Sequence, residues 1–429
     1  MIALAAVLLI LLALMGAPLF AVILGAAALG FYAMDTPLSV LHINLYQLSD
    51  SVVLMALPLF TFAGFLLGEA RTADRMVRLS QAAFGWMRGG MAFVALIACA
   101  AFTALTGGSG VTIVALGGLL FPALVKAGYR ERFSLGLVTS SGSLGLLLVP
   151  SVPLLIYGII AQQLSQQLDM PSVRILDLYL AGLFPALLMV ALLYGWCAWT
   201  TRHDPVPRQG FDWGELRAAL GDMRWELPLP LVVLGGIFSG VLVVSEAAAV
   251  TALYVLVAEV LLYREIRWRQ LPGIMRESMV MVGGILLILA VALALTDFLV
   301  YADVPSDLFA FIRTHVEDRI TFLILLNLLL LLLGAMLDIF AALVIMVPLI
   351  LPLALRYGVD PVHLGIIFVA NMQIGYFTPP VGMNLFIASY RFRRSIGELY
   401  AATIPFMLVL LIALLLITYW PTLSLVLVR

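Results

Sequence analysis

The stretch Thr106-Gly107-Gly108-Ser109-Gly110 interrupts an apolar run spanning residues 90–125, and Gly334-Ala335-Met336-Leu337-Asp338 interrupts another spanning 321–356. Each run is long enough to enter a bilayer, and each is broken where it would turn back. Charge decides how they sit, because short cytoplasmic loops collect Arg and Lys. The first run lies between Arg71, Arg75, Arg78 and Arg88 on one side and Lys126, Arg130 and Arg132 on the other, so both its ends read as cytoplasmic. The second lies between Asp303, Asp307, Arg313, Glu317, Asp318 and Arg319 before it and Arg356 and Asp360 after it, so both ends read as external. A run that returns to its side of entry is a re-entrant helical hairpin. The sequence therefore predicts two hairpins dipping into the membrane from opposite faces.

Working outward, apolar runs near 2–16, 18–34, 51–70, 134–161, 175–199, 228–244, 247–263, 278–301, 364–390 and 400–427 are the candidate crossings, about ten in all. Hydrophobic residues make up 64% of the 429 residues and charged ones 11%, against about 45–50% and about 25% in soluble proteins. The expected fold class is thus an all-α polytopic membrane protein, with about ten transmembrane helices and two re-entrant hairpins. The apolar N-terminal run lacks a basic leader and a small-residue cleavage site, so it reads as a retained membrane segment. Following the alternation of sides through the chain places both termini outside. The Arg-bearing stretches 71–88 and 264–276 read as amphipathic helices at the cytoplasmic interface.

The two halves repeat. At an offset of 230, Pro122 meets Pro352, Gly128 meets Gly358, Gly145 meets Gly375 and Pro150 meets Pro380. With only 35 Gly and 21 Pro in the chain, four matches at one offset are a repeat rather than coincidence. With the opposite flanking charges, they describe two copies inserted upside down: 1–200 as the first repeat, 201–227 as a cytoplasmic connector and 228–429 as the second. Inverted repeats with broken helices mark secondary transporters.

Lipid leaves no partner for an unpaired backbone group, so a span breaks only where protein or water covers the break. The broken spans 134–161 and 364–390 therefore mark the site. The first carries Ser140-Ser141-Gly142-Ser143-Leu144-Gly145 and Val149-Pro150-Ser151; the second carries Asn371 and then Gly375-Tyr376-Phe377-Thr378-Pro379-Pro380-Val381-Gly382-Met383-Asn384. A lone Pro in a membrane helix is usually a kink, but two interruptions at matching places, each facing a broken hairpin, need more than that. Freed carbonyls with Ser and Thr hydroxyls are hard, neutral ligands suited to a dehydrated Na⁺. Asp338 reads as the N-cap of the second hairpin arm, a role compatible with an ion contact, and Glu246 as a helix cap. Glu259 and Asp297 read as snorkelling acids near span ends, His42 and His363 as solvated loop histidines, and Cys99 and Cys197 as small buried hydrophobes.

Net charge is −1 and Lys126 is the only lysine, so no basic field serves nucleic acid and no phosphate-loop lysine serves ATP. No His-Glu-x-x-His and no clustered aspartates lie within the spans, so the chain does not read as an enzyme.

Thr106-Gly107-Gly108-Ser109, Gly128-Tyr129, Gly145 through Ser151, Gly236 through Ala249 and Gly375 through Phe386 resemble the large membrane subunit of tripartite ATP-independent periplasmic (TRAP) transporters, over nearly the whole chain. The resemblance implies an elevator-type carrier in the bacterial inner membrane with periplasmic termini. It implies a sodium gradient as the energy source, a small four-span membrane subunit and a periplasmic substrate-binding protein delivering an organic acid anion. It further implies one sodium site at Thr106, Ser109, Gly145, Leu148 and Pro150, and another at Gly334, Asp338, Gly375, Thr378 and Met383. Ser141, Ser151, Asn371, Pro379 and Asn384 are the expected substrate-binding residues. The chain departs from the family's usual Ser-Gly-Ser-Ser at the first tip and Pro-Pro-Ser in the first repeat, where it has Thr106-Gly107-Gly108-Ser109 and Val149-Pro150-Ser151, while keeping hydroxyls and carbonyls in place. The alternative is a stand-alone sodium/carboxylate symporter that needs no binding protein.

Overall fold

A computed structural model describes residues 7–9, 11, 12, 15, 17–37, 39, 52–87, 89–168, 170–202, 210–314 and 316–428. In these, helices follow in the order α1 (Leu19–Ala33), α2 (Ala56–Glu69), α3 (Thr72–Phe84), α4 (Gly90–Thr106), α5 (Ser109–Lys126), α6 (Glu131–Ser141), α7 (Val152–Leu168), α8 (Ile175–Thr200), α9 (Trp213–Asp222) and α10 (Pro228–Phe238). They continue as α11 (Val244–Leu256), which runs on as a π-helical turn (Val257–Leu262), then α12 (Leu271–Tyr301), α13 (Val304–Arg313), α14 (Arg319–Met336), α15 (Ile339–Arg356), α16 (Pro361–Gly375), α17 (Met383–Phe392), α18 (Ile396–Tyr419) and α19 (Thr422–Leu425). No strand occurs among the described residues. Among the described residues, eight helical stretches are long and apolar enough to cross a membrane, and shorter apolar helices accompany them. Every expected crossing except 2–16, most of which lies outside the described residues, falls on one of these helices or, for 134–161, 364–390 and 400–427, on two in succession. Val280, Leu253 and Leu328 stand exposed on them, an apolar surface suited to lipid rather than water.

Both hairpins form. Thr106 ends α4, Gly107 takes a left-handed φ of 70° that a side chain would strain, and Ser109 starts α5. The second hairpin turns through extended Leu337 and Asp338, whose carboxylate caps α15 by accepting from the Phe340 amide at 3.0 Å. The second arms, 109–126 and 339–356, and the starts of the following spans, 131 and 361, keep the 230-residue spacing found in the sequence. The arms interlock: α15 packs on α7 and α5 packs on α17, so each hairpin leans on the far half of the other copy's broken span. Around them, α1 packs on α12, and α2 on α11 and α12.

Three expectations change. His363 is buried within α16, its Nε2 3.2 Å from the Thr418 carbonyl, because Asp360 and Pro361 start the helix before it: Asp360 caps the Val362 and His363 amides. His42 lies outside the described residues. The 264–276 stretch is not one interfacial helix; residues 264–270 turn, and Pro272 in the first turn opens α12. Glu259 does not snorkel, since the π-helical turn aims it inward and leaves it 0% exposed. Glu246 does cap, accepting from the Val243 amide at 3.0 Å, and Cys99 and Cys197 are both buried and unpaired.

The hairpins press on the broken spans through the matched glycines. A Cβ at 145 would strike the Ala100 carbonyl oxygen and lie 2.5 Å from the Ala104 nitrogen, while one at 375 would lie 2.5 Å from the Gly334 Cα. Backbone cannot move aside as a side chain can. Gly145→Val and Gly375→Val are each expected to lose at least about 2 kcal/mol of stability. Gly283→Ala, where a Cβ meets nothing within 4 Å, is expected to be neutral or stabilising. Melting temperatures in detergent check both signs.

Candidate functional site

The centre of the molecule is where helices stop. In the first broken span α6 ends at Ser141, a 3₁₀ turn covers Leu144–Leu147, Leu148 is extended, and the Val149–Pro150 bond is cis. In the second, α16 ends at Gly375, the Pro379–Pro380 bond is cis, and Gly382 adopts φ 57° before Met383 opens α17. Proline and extended backbone take both segments out of the helical ladder, and hydroxyls and amides fill the gaps.

Around the first tip, Thr103 Oγ1 donates to the Gly142 carbonyl at 2.9 Å and meets Thr112 Oγ1 at 2.7 Å, tying both hairpin arms to the break. Thr106 Oγ1 donates to the Phe102 carbonyl at 2.8 Å, which leaves its lone pairs at the turn. Ser109 Oγ donates to Asn384 Oδ1 at 2.9 Å, so this tip is bonded to the other copy's break. Gly145, Leu148 and Pro150 lie together in the first break, with the Gly145 carbonyl accepting from the Leu148 amide at 2.9 Å. Ser151 donates to the Leu146 carbonyl and accepts from the Leu154 amide, and Ser141 turns back to the Val138 carbonyl at 3.3 Å.

Around the second tip, Gly334 and Gly375 touch backbone to backbone. Asp338 Oδ1 accepts from Tyr376 Oη at 3.1 Å, and the same hydroxyl accepts from the Ile339 amide at 3.0 Å. The Gly382 amide donates to the Ala335 carbonyl at 2.8 Å. Thr378 Oγ1 donates to the Ile374 carbonyl at 2.8 Å, four residues back in the chain. Thus Gly334, Asp338, Gly375 and Thr378 gather at one corner, with Met383 at the start of the next helix. Asn371 sits deeper, donating to Asn327 Oδ1 and the Ile367 carbonyl, both at 2.8 Å, in a buried polar chain that continues to Thr418. Pro379 lies in the loop between.

The two breaks meet. Ser143 Oγ donates to the Gln373 backbone carbonyl at 2.9 Å, and these residues are 230 apart, so equivalent positions of the two copies touch. Asn384 is 0% exposed and its Nδ2 has no partner; Gln373 Oε1 is likewise buried and unmatched. Tyr376 as a polar partner, Asn327, Thr103 and Gln373 join the site without having been expected from the sequence. For Tyr376 the signal was present in a hydroxyl following the matched glycine; for Asn327 it was an amide alone in a leucine run, a costly placement that calls for a partner. Tyr376→Phe strands the Ile339 amide and one Asp338 oxygen, and is expected to lower stability by about 1–2 kcal/mol, read as a lower melting temperature.

Residues 2–423 match the family described as the tripartite ATP-independent periplasmic transporter, DctM component. The chain is 34% identical to the C4-dicarboxylate TRAP transporter large permease protein DctM of Rhodobacter capsulatus, covering 98% of this chain and 97% of that one. It is 33% identical to the protein of the same description from Pseudomonas aeruginosa, over 94% and 92%. It is 28% identical to the ectoine/5-hydroxyectoine TRAP transporter large permease protein UehC of Ruegeria pomeroyi, over 97% and 96%. Its fold is similar to the crystal structure of the Alcanivorax borkumensis YdaH transporter, with a TM-score of 0.63 at 17% identity over 89% and 87% of the chains. A multi-pass helical membrane chain with paired hairpins and broken spans, matched along almost its whole length, belongs to the DctM family of TRAP transporter large permeases and is a transporter component, not an enzyme.

Proposed function

We propose that this chain is the substrate-translocating subunit of a sodium-coupled importer of an organic acid anion in the bacterial inner membrane, with both termini periplasmic. The observation that supports this reading is the pairing of each break with a hairpin tip, the first tip being bonded across to the second break through Ser109 and Asn384. The gathered oxygens are hydroxyls and backbone carbonyls with Asp338 at one corner, a donor set that suits a monovalent hard cation. Thr106, Ser109, Gly145, Leu148 and Pro150 would hold one Na⁺, and Gly334, Asp338, Gly375, Thr378 and Met383 another. Between them, Asn384 Nδ2 is a buried donor in want of an acceptor, and a substrate carboxylate supplies one. Ser141, Ser151, Asn371 and Pro379 complete the substrate region in this reading. Relatives carry names specifying C4-dicarboxylate and ectoine; a C4-dicarboxylate or similar carboxylate, sialic acid included, is the substrate class proposed.

Sodium bound at either break orders the tip and the break together, so ion and anion favour each other through one conformational equilibrium. The two repeats, inverted as their flanking charges require, would carry the site by an elevator movement of α4–α7 and α14–α17 against the outer helices. A small four-span membrane subunit and a periplasmic binding protein complete the system. Uptake in proteoliposomes holding all three components is expected to need an inward sodium gradient and the binding protein; full-rate uptake without sodium overturns the coupling. Ser109→Ala and Thr378→Ala are each expected to weaken apparent sodium affinity by about tenfold, the equivalent of one lost contact, with assembly intact. Unchanged sodium dependence in both variants removes the site assignment while leaving the family.

A further inference from the structure

A cluster of charge lies away from both hairpins. Arg75, on α3, reaches into a recess formed by the second half of the chain. Its Nε and Nη2 clasp Glu226 at 2.9 and 2.7 Å, Nη1 meets Glu265 at 2.5 Å, and Nη2 stands 3.4 Å from Glu259 Oε2. The guanidinium lies over the Tyr263 ring, 4.0 Å from its centroid. Glu259 faces this recess because the π-helical turn re-aims it, and its backbone carbonyl is held by the amides of Glu265 and Ile266 at 3.0 and 3.3 Å.

The three carboxylates are not equivalent. Both Glu226 oxygens accept from Arg75, and the Glu265 oxygens accept from Arg75 and from the Arg71 amide at 2.7 Å. Glu259, wholly buried, has only the long contact on Oε2, and its Oε1 has no partner. Its carboxyl and that of Glu226 share the Arg75 Nη2. Burial works against the charge on Arg75, but the bonds from Glu226 and Glu265 and the nearness of Glu259 hold its pKa above the ordinary arginine value, so the guanidinium stays a single positive charge. Three ionised carboxylates would therefore leave two buried negative charges unbalanced, which a low-dielectric site does not tolerate.

Among the described residues no second guanidinium is bonded to these carboxylates: the Arg71 side chain lies beside Asp74, Arg224 over the Trp225 ring, and Arg264 donates to the Leu261 carbonyl. Arg78, one turn along α3, is engaged by Glu215 and Asp222 at the surface, where its hydrogen bond holds the Glu215 carboxyl below the usual range. The Tyr263 hydroxyl donates to the Asp222 carbonyl at 2.7 Å. α2, packed along α11, brings only Glu69, at the end that leads into α3, and α10 has no ionisable residue.

We infer that Glu259 is a proton-binding site: at neutral pH it is a neutral carboxylic acid whose O–H donates toward the Glu226 carboxylate, and loss of that proton loosens the joint between α3 and residues 222–266. By the distribution of arginines this joint faces the cytoplasm, so the proton comes from that side. α3 also packs on α4, the first arm of hairpin 1, which links the joint to the element carrying the first tip.

Infrared spectra of the purified protein at neutral pH test it directly: a buried carboxylic-acid carbonyl band is expected in the wild type and absent from Glu259→Gln. A proton held only by the folded protein stabilises on the acid side and is lost as pH rises. The wild-type melting temperature is therefore expected to fall by several degrees more than that of Glu259→Gln between about pH 6 and about pH 9. Superimposable infrared spectra, or parallel pH profiles, overturn the inference. If Glu259→Gln does not fold, Glu226→Gln serves: Arg75, freed from Glu226, then pairs with Glu259, so the band should vanish at a lower pH than in the wild type. A band unmoved by that change also overturns it.

Discussion

Lipid offers no hydrogen bond to a backbone that leaves the helix, and the centre of this protein is organised around that single restriction. The segments 142–151 and 376–382 are out of regular α-helix in the middle of spans that are otherwise apolar and buried. Each can exist only because a hairpin tip covers it. The contacts that do the covering are backbone-close: Gly145 against α4, Gly375 against Gly334, and the Gly382 amide on the Ala335 carbonyl. What is left over after these bonds is a set of oxygens with spare lone pairs and a few buried amides, concentrated where the two copies meet. Polarity at depth is thus a by-product of broken helix, and under the proposed function it is where an ion and a carboxylate would bind.

The interlocking of the copies makes the centre one object instead of two. Ser143 on the Gln373 carbonyl joins positions 230 residues apart, and α5 on α17 is the counterpart, at that same spacing, of α15 on α7. Asp338 illustrates how tightly a role can be shared: one oxygen caps α15 and the other is held by Tyr376, whose hydroxyl also serves the Ile339 amide. A ligand that perturbs one of these partners is felt by both hairpin and span.

Much of this was legible because Gly and Pro at depth in an apolar sequence have few innocent explanations. The hairpins, the broken spans and the 230-residue spacing follow from Thr106 to Gly110, Gly334 to Asp338 and the matched Gly145, Pro150, Gly375 and Pro380. The sequence did not disclose cross-chain pairings of ordinary polar residues, such as Ser109 with Asn384 or Asn371 with Asn327, because these depend on how distant helices pack. Composition misled where an ionisable residue sat near the edge of a run. His363 was drawn inside by the Asp360-Pro361 helix start, and Glu259 by a π-helical turn that no periodicity announces.

Ser109 and its partner Asn384 are separated by 275 residues, so the first tip emerges into the membrane long before anything exists to bind it. Until the last quarter of the chain is translated and inserted, that polar turn lacks its lid, and nascent permease must shelter it by other means, with water, with the insertion machinery or by waiting at the interface. The interleaving that makes the finished centre cohesive therefore delays its closure to the end of biosynthesis, and truncated or stalled chains would present an unsealed polar loop to the bilayer.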